Sequence, residues 1–384
     1  MLVRDGRIEA VGPRREVEAK APHAATIIDA EWKAVLPGFV DAHTHLVFAG
    51  SRVAEFEQRC AGVSYQQISA AGGGIRSTVR STRGATADEL LAKAKQHASW
   101  FLRNGTTTVE AKSGYGLTTT DEIKILEAVR AVNNSTPLRC VPTFLGAHEI
   151  PDEFRNDPER YADLIINEML PEIRAAQLAE YCDVFCEPKV FNLQLAEKIL
   201  TSARQQGFAL RMHADQFSNT GASALAARLG VVTADHLEQT DAHSIALLAK
   251  AGVQPVLLPG SVYAIGSQHY PRARAMIEAG LAVVIATDFN PGSSPTASMP
   301  MVLSLACTQM KMTPAEAVTA STINAAHSLN RGASIGSLEP GKIADFVIHE
   351  VADYREIAYY FGTLIPRRVF CARREAFQLA SKNS

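Results

Sequence analysis

Nowhere in its 384 residues does the chain run roughly eighteen apolar residues together, and its opening stretch MLVRDGRIEAVGPRREVEA has no apolar leader core. These absences argue against a spanning helix and a secretory signal, and the expected location is cytoplasmic. There is no basic stripe or polybasic run either: 38 Lys and Arg against 40 Asp and Glu leave a formal net charge of -2, with the signs mixed along the chain. Nucleic acid and an anionic membrane surface are therefore not expected as partners. The six cysteines contain no CxxC pair, so no disulfide framework is read; Cys182 and Cys186, on one face of a strand-like run, are assigned to the core. No short-period repeat or low-complexity tract appears. What remains is small-molecule chemistry on a globular chain, 47% hydrophobic, large enough for one big α/β domain and something smaller.

Eight apolar, strand-like runs alternate with helix-like stretches: KAVLPGFVDAHTH, TTTVEAKSG, LRCVPTFLGAH, YCDVFCEP, FALRMHAD, VVTADHLE, VQPVLLPG and LAVVIATD. Between them, Thr86-Ala87-Asp88-Glu89 and Thr119-Thr120-Asp121-Glu122 read as capping boxes ahead of helical apolar spacing. Eight strand-plus-helix units predict an α/β fold, a (β/α)8 barrel of the TIM type, with a doubly wound open sheet as the alternative. The turn-bearing stretches LVRDGRIEAVG and IGSLEPGKIADFVIHE read as pieces of one small β layer. The expected division is a small β-sandwich domain built from residues 1–35 and 334–384, around a barrel of residues 36–333.

In such a barrel the site lies at the carboxyl ends of the strands. The runs end in His43 and His45, in Glu110 and Lys112, in His148, Glu187, His213 and His236, and in Asp288; only the seventh ends without an ionisable residue. In an extended strand positions 43 and 45 project to the same side. Taken alone, this HxH fits hydrogen-bonded core histidines as well as metal ligands. Packing gives little reason for histidine to recur at apolar strand ends, and His43, His45, His213 and Asp288 together would form a nitrogen-rich site with one carboxylate. That set suits one Zn or Fe ion, and the sequence does not choose between them. A divalent cation would lower the pKa of a bound water from about 15.7 towards about 7. Asp288 could then accept the proton and return it to a leaving nitrogen, with His236 orienting water or stabilising an oxyanion. His23, His97, His243, His269, His327 and His349 are read as structural or solvent-facing.

With an HxH after the first strand, histidines after the fifth and sixth and an aspartate after the eighth, the chain resembles the amidohydrolase superfamily. The resemblance runs from about Leu2 to Ala372 through PGFVDAHTH, TADHL, ATDFNPG and GSLEPGKIADFVI. The segments HTHLVFAGSR, EAKSGYGL, FLGAHEIP, MHADQFSN and TDFNPGSSP are similar to the branch that opens the ring of 4-imidazolone-5-propanoate in histidine degradation. The resemblance implies one divalent metal on His43, His45, His213 and Asp288. It also implies a substrate pocket of Arg52, Tyr115, His148, Gln216, Asn290, Gly292 and Ser293, and a homodimer. Arg52 would offer a planar fork to the propanoate. Gln216 stands where related deaminases carry a glutamate, which shifts proton transfer towards Asp288 and His236, with Gln216 counted as the third catalytic residue. The superfamily's β layer begins upstream of LVRDGRI, so truncation at the N-terminus is expected. The loop SVYAIGSQHYPRAR diverges from the branch, and no contacts are carried over to it. Two rivals stay open, an aminohydrolase of cytosine- or guanine-like rings and a non-enzymatic barrel relative that binds without catalysis.

Overall fold

The computed structural model describes residues 1–64, 67–68, 71–372 and 374–379; of the stretch 334–384 assigned to the small β layer, residues 373 and 380–384 lie outside the described residues. The eight apolar runs form one parallel sheet. Its strands are β4 (Phe39–Asp41), β5 (Thr106–Lys112), β6 (Arg139–Ala147), β7 (Tyr181–Cys186), β8 (Ala209–Ala214), β9 (Thr233–His236), β10 (Gln254–Leu257) and β11 (Val284–Ile285). They follow each other in unbroken chain order. A doubly wound sheet reverses its order at a switch point, and none is present here. The two edge strands meet: Thr44 bridges Phe289 in parallel, the Asp288 amide donates to the His43 carbonyl at 3.1 Å, and the His45 amide to the Phe289 carbonyl at 2.8 Å. The result is a (β/α)8 barrel sealed at the segment that carries the paired histidines.

The first run does not remain one strand. It splits into β3 (Val35–Pro37), which belongs to a small antiparallel sheet, and the barrel strand β4. The break falls at Gly38, where a Cβ would lie 2.3 Å from the Thr107 hydroxyl oxygen; only a bare backbone passes between the layers there. Ahead of it, β1 (Leu2–Arg4) and β2 (Arg7–Ala10) form a hairpin whose turn residues Asp5 and Gly6 both have positive φ. The sheet of β3 is completed by β12 (Phe346–Ile348), β13 (Arg368–Cys371) and β14 (Arg374–Gln378). Ile8, from the hairpin, shares a core with Phe346, Ile348 and Phe370, so the two ends of the chain fold against each other.

Helices cover the barrel with their apolar faces inward. The helix Ala87–Arg103 begins with the expected capping box, Thr86 and Glu89 each satisfying the other's backbone amide, and buries Leu90, Ala94, Phe101 and Leu102. Such a cap contributes about 1 kcal/mol. The second expected box does not form. The helix Thr119–Ser135 is capped one residue earlier, by Thr118 accepting from the Asp121 amide, because the Glu122 carboxylate is drawn into the preceding loop. Cys182 and Cys186 are buried in the barrel's main apolar cluster. His97 is also buried, its Nδ1 2.8 Å from the Leu46 carbonyl. No helix among the described residues is long and apolar enough to cross a membrane.

Candidate metal centre and substrate pocket

The seam between β4 and β11 decides where the paired histidines point. Asp41 uses both carboxylate oxygens on Thr287, at 3.1 Å to its amide and 2.6 Å to its hydroxyl, and so pins the two edge strands side by side. Burial raises the Asp41 pKa to about 7, with the Thr287 bonds opposing. The Thr44 hydroxyl turns to the Glu110 carbonyl at 2.5 Å, which leaves His43 and His45 on the side of the barrel mouth. Asp215, His236, Leu237 and Asp288 all carry φ between 52° and 79°. L-residues with a Cβ pay about 1–2 kcal/mol each for that left-handed conformation, and strain of this kind gathers where a site demands a particular side-chain direction.

Five side chains converge. The ring centroids of His43 and His213 lie 4.5 Å apart, those of His43 and His236 5.6 Å, and those of His213 and His236 5.3 Å. Asp288 Oδ1 stands 3.5 Å from His43 Nε2 and 3.7 Å from His45 Nε2. Possible ligand atoms of His43, His45 and Asp288 fall within 4.8 Å of one another, and so do those of His43, His213 and His236. Among the described residues, the buried Nε2 atoms of His43 and His213 have no hydrogen-bond partner. Their Nδ1 atoms face carboxylates, His43 at 2.6 Å from Asp235 and His213 at 3.0 Å from Asp183. In His43 an Nδ1–H held by Asp235 leaves the Nε2 lone pair aimed into the centre, the arrangement metal-binding histidines adopt, whereas His213 Nδ1 stands near Asp183 with no hydrogen bond among the described residues. Burial, reinforced by neighbouring cationic groups, holds His43 and His45 well below the ordinary imidazole value; they are neutral, as ligands must be. The residues fit a divalent cation.

Beneath the histidines lies a layer of charge that sequence reasoning only grazed. Lys112 Nζ sits 2.9 Å from Glu110, 2.6 Å from Asp183 and 3.4 Å from Asp235, and Arg211 Nε is 3.0 Å from Glu110, all fully buried. Asp183, Asp235 and Arg211 are not among the residues the sequence singles out. Their signal was a charged residue in the middle of an apolar strand, in YCDVFC, TADH and ALRMHA. Asp183 is held below its ordinary value, since His213 and Lys112 outweigh the burial that would raise it. Replacing Asp235 with Asn removes the fixed acceptor for His43 Nδ1–H. It should weaken metal retention about 10–100-fold, read as the rate of loss to a chelator, with the circular dichroism spectrum unchanged. Equal retention would remove Asp235 from this role.

The expected pocket residues fall around this centre unevenly. His148 stacks on His45, centroids 4.9 Å apart at 13°, and its Nδ1 lies 3.0 Å from the Gly114 carbonyl. Burial, with His213 adding, lowers its pKa to about 3. The buried Tyr115 ring is 5.5 Å from His45 and 5.3 Å from His148. Arg52 is no surface residue, its side chain being 7% exposed. It pairs through Nε with Glu55 at 2.7 Å. Its guanidinium lies on Gly292, where a Cβ would fall 1.9 Å from Nη1. Asn290 is committed to its own turn: Oδ1 accepts from the Gly292 and Ser293 amides, and Nδ2 donates to the Asp288 carbonyl and the Ser293 hydroxyl. It shapes the loop that carries Asp288, and the Gly292 and Ser293 amides already serve it. Ser293 Oγ also lies 3.4 Å from Asp288. Gln216 is half-buried on the loop after β8, and no hydrogen bond to it is seen among the described residues. Of the residues passed over, Glu238 is buried and 3.4 Å from His236 Nδ1. Burial alone would lower His236, but Glu238, aided by Asp288 and Asp235, holds its pKa above the ordinary value.

The amidohydrolase family model matches residues 34–372, and a model described as an imidazolonepropionase-like composite domain of bacteria matches residues 1–24. A protein of Solibacter usitatus named imidazolonepropionase is 62% identical, over 97% of this chain and 89% of its own length. Another of that name, from Geobacillus kaustophilus, is 46% identical over 94% and 85%. Among solved structures, the 5-methylcytosine deaminase of Klebsiella pneumoniae superimposes with a TM-score of 0.76 at 17% identity, covering 100% of this chain and 94% of its own. E. coli guanine deaminase does so with a TM-score of 0.69 at 16% identity, over 99% and 92%. At that identity these two show a shared fold alone.

Proposed function

The chain belongs to the amidohydrolase family, and we propose that its reaction is hydrolysis of the cyclic amide C–N bond of 4-imidazolone-5-propanoate, giving N-formimidoyl-L-glutamate. The observation that carries this reading is near-full-length identity of 62% to a relative named for that activity. The buried Arg52 beside the Asp288 loop supports it, as a cationic group suited to a carboxylate arm.

We assign one divalent metal per chain, zinc or iron, to His43, His45, His213 and Asp288; three imidazoles with one carboxylate suit either ion and are poor for magnesium or calcium. Bound there, the cation supplies a Lewis acid that makes water acidic enough to attack at neutral pH. Asp288, whose pKa burial raises against the pull of His236 and His213, takes the proton of the attacking water and later passes it to the departing ring nitrogen. His236, whose pKa Glu238 raises against burial, donates to the oxygen on which negative charge develops. Gln216 cannot shuttle a proton; its amide orients the substrate or water. Arg52 receives the propanoate, and Tyr115, His148 and Ser293 face the ring, with Asn290 and Gly292 shaping the loop beside it. A barrel of residues 36–333 with a small β domain from 1–35 and 334–384, a homodimer and a cytoplasmic location belong to the same proposal.

The test is turnover of freshly made 4-imidazolone-5-propanoate by metal-loaded protein, with ring absorbance and ammonia followed together. Ring loss without ammonia is expected. Ammonia released from a purine or pyrimidine panel, with the imidazolone untouched, would replace this reading with the deaminase one. Removing metal with a chelator should abolish turnover, and added zinc or iron should restore it.

The propanoate contact has its own test. Gly292→Ala drives a methyl group into the Arg52 guanidinium and should raise KM about tenfold or more, as should Arg52→Ala, with metal content unchanged. Metal lost in parallel with affinity would sink the role given to Arg52.

A further inference from the structure

Glu122 is fully buried at the start of the helix Thr119–Ser135, yet the helix does not need it as a cap, because Thr118 already accepts from the Asp121 amide. Its carboxylate instead faces backward into the loop 113–117. Oε2 accepts from the Gly114 amide at 3.0 Å, and Oε1 accepts from the amides of Gly116 and Leu117, both at 2.8 Å. Three amides of one short loop, those of Gly114, Gly116 and Leu117, can converge on one anion because the backbone turns left-handed at two points, with φ of 105° at Gly114 and 57° at Leu117. Such an arrangement is a nest, usually filled by an external anion; here the chain fills it with its own carboxylate.

The loop held in this way carries two residues of the pocket. Tyr115 stands between the bound amides of Gly114 and Gly116, its ring 5.5 Å from His45. The carbonyl of Gly114 faces His148 Nδ1 at 3.0 Å, so the residue whose N–H Glu122 holds also orients the His148 ring against His45. From the other side Arg83 Nε donates to the Gly116 carbonyl at 2.6 Å. The space is tight, for a Cβ on Gly116 would lie 2.6 Å from the Asp121 carbonyl carbon and the Glu122 nitrogen.

We propose that Glu122 is a positioning residue of the substrate pocket: its carboxylate closes the nest of Gly114, Gly116 and Leu117 amides and thereby sets where Tyr115 and His148 stand against His45. The inference rests on the reading of Tyr115 and His148 as substrate-facing. Glu122 touches no reacting atom and lies outside the metal-binding set, so its loss should show in substrate binding and leave the metal in place.

The experiment compares Glu122→Gln with Leu126→Ala, a buried apolar truncation one turn along the same helix that leaves the loop's hydrogen bonds untouched. Glutamine puts an amide N–H where an acceptor is required, so Gly114 loses its partner. Glu122→Gln should raise KM for 4-imidazolone-5-propanoate about tenfold or more with kcat within about threefold and full metal content, whereas Leu126→Ala lowers the melting temperature with KM unchanged. Hydrogen exchange of the peptide spanning 113–118 should accelerate in Glu122→Gln alone, and that readout holds whatever the substrate. If the parent protein shows no turnover, the functional reading fails and the exchange result still decides whether Glu122 holds the loop. Unchanged exchange, or a KM rise matched by Leu126→Ala, overturns the proposal. Should Glu122→Gln not fold, Gly116→Ala displaces the same loop with the carboxylate retained, and an unchanged KM there overturns it equally.

Discussion

Replacing Lys112 with Met should cost about 3–5 kcal/mol of folding stability, the range for removing one partner of a buried ion pair. Three carboxylates, Glu110, Asp183 and Asp235, share its ammonium with no exposure to water. Without it Arg211 remains, 3.0 Å from Glu110 and 4.0 Å from Asp235, with His213 beside Asp183 and His43 beside Asp235. Burial alone would lower the pKa of Lys112, but the three carboxylates outweigh it and hold it above 10.5. Its contribution is therefore complete below the unfolded value and is lost only as pH rises through the folded one, so neutral pH should not modulate it. Urea denaturation of the metal-free proteins measures the loss. A second variant, Asp183→Asn combined with Lys112→Met, removes one charge of each sign and should be less destabilised than the sum of the two single changes. A loss below about 1 kcal/mol for Lys112→Met would mean that water or rearrangement supplies the missing charge.

Asp288→Asn should lower kcat by about 10²–10⁴-fold, the range for removing a positioned proton acceptor. The side chain keeps its shape but can no longer accept the water's proton, while the turn built by Asn290 on the Asp288 backbone carbonyl stays intact. Because Asp288 is also assigned to the metal, the rate must be expressed per bound ion, with metal measured in the same preparation. A kcat per metal within tenfold of the parent would move the proton-accepting role elsewhere, with His236 and its partner Glu238 the next pair to test. Glu238→Gln separates them, since it removes the charge that keeps His236 above its ordinary value.

Much of the architecture could be read along the chain because each barrel strand is a continuous apolar run, buried on both faces and flanked by helix signals. Those features are local. The histidines of the candidate metal centre were legible for a related reason: a polar residue at the end of such a run has no packing explanation. Less visible were residues whose role depends on a neighbour far away in sequence. Asn290 read as a pocket residue, but its side-chain hydrogen bonds go to its own turn. Glu122 read as half of a capping box, a pattern of the right spacing, yet the helix begins one residue earlier and the carboxylate serves the loop behind it. Arg52 read as a carboxylate fork, and its confinement by Glu55 and Gly292 appeared only in three dimensions.

By itself the sequence determined eight apolar runs alternating with helices, the ends of those runs at which polar residues collect, and the candidate ligands His43, His45, His213 and Asp288. Strand periodicity and burial act between near neighbours, and they leave a repeating mark along the chain. Only the tertiary structure decided that Asp235 holds the Nδ1 atom of His43 and that Asp183 stands beside His213, that one lysine ammonium joins both carboxylates, and that Glu122 fills a nest beside Tyr115. Hydrogen bonds and buried charge pairs join whichever strands the closed barrel makes adjacent. A lone Asp in an apolar run carries no record of which strand that will be.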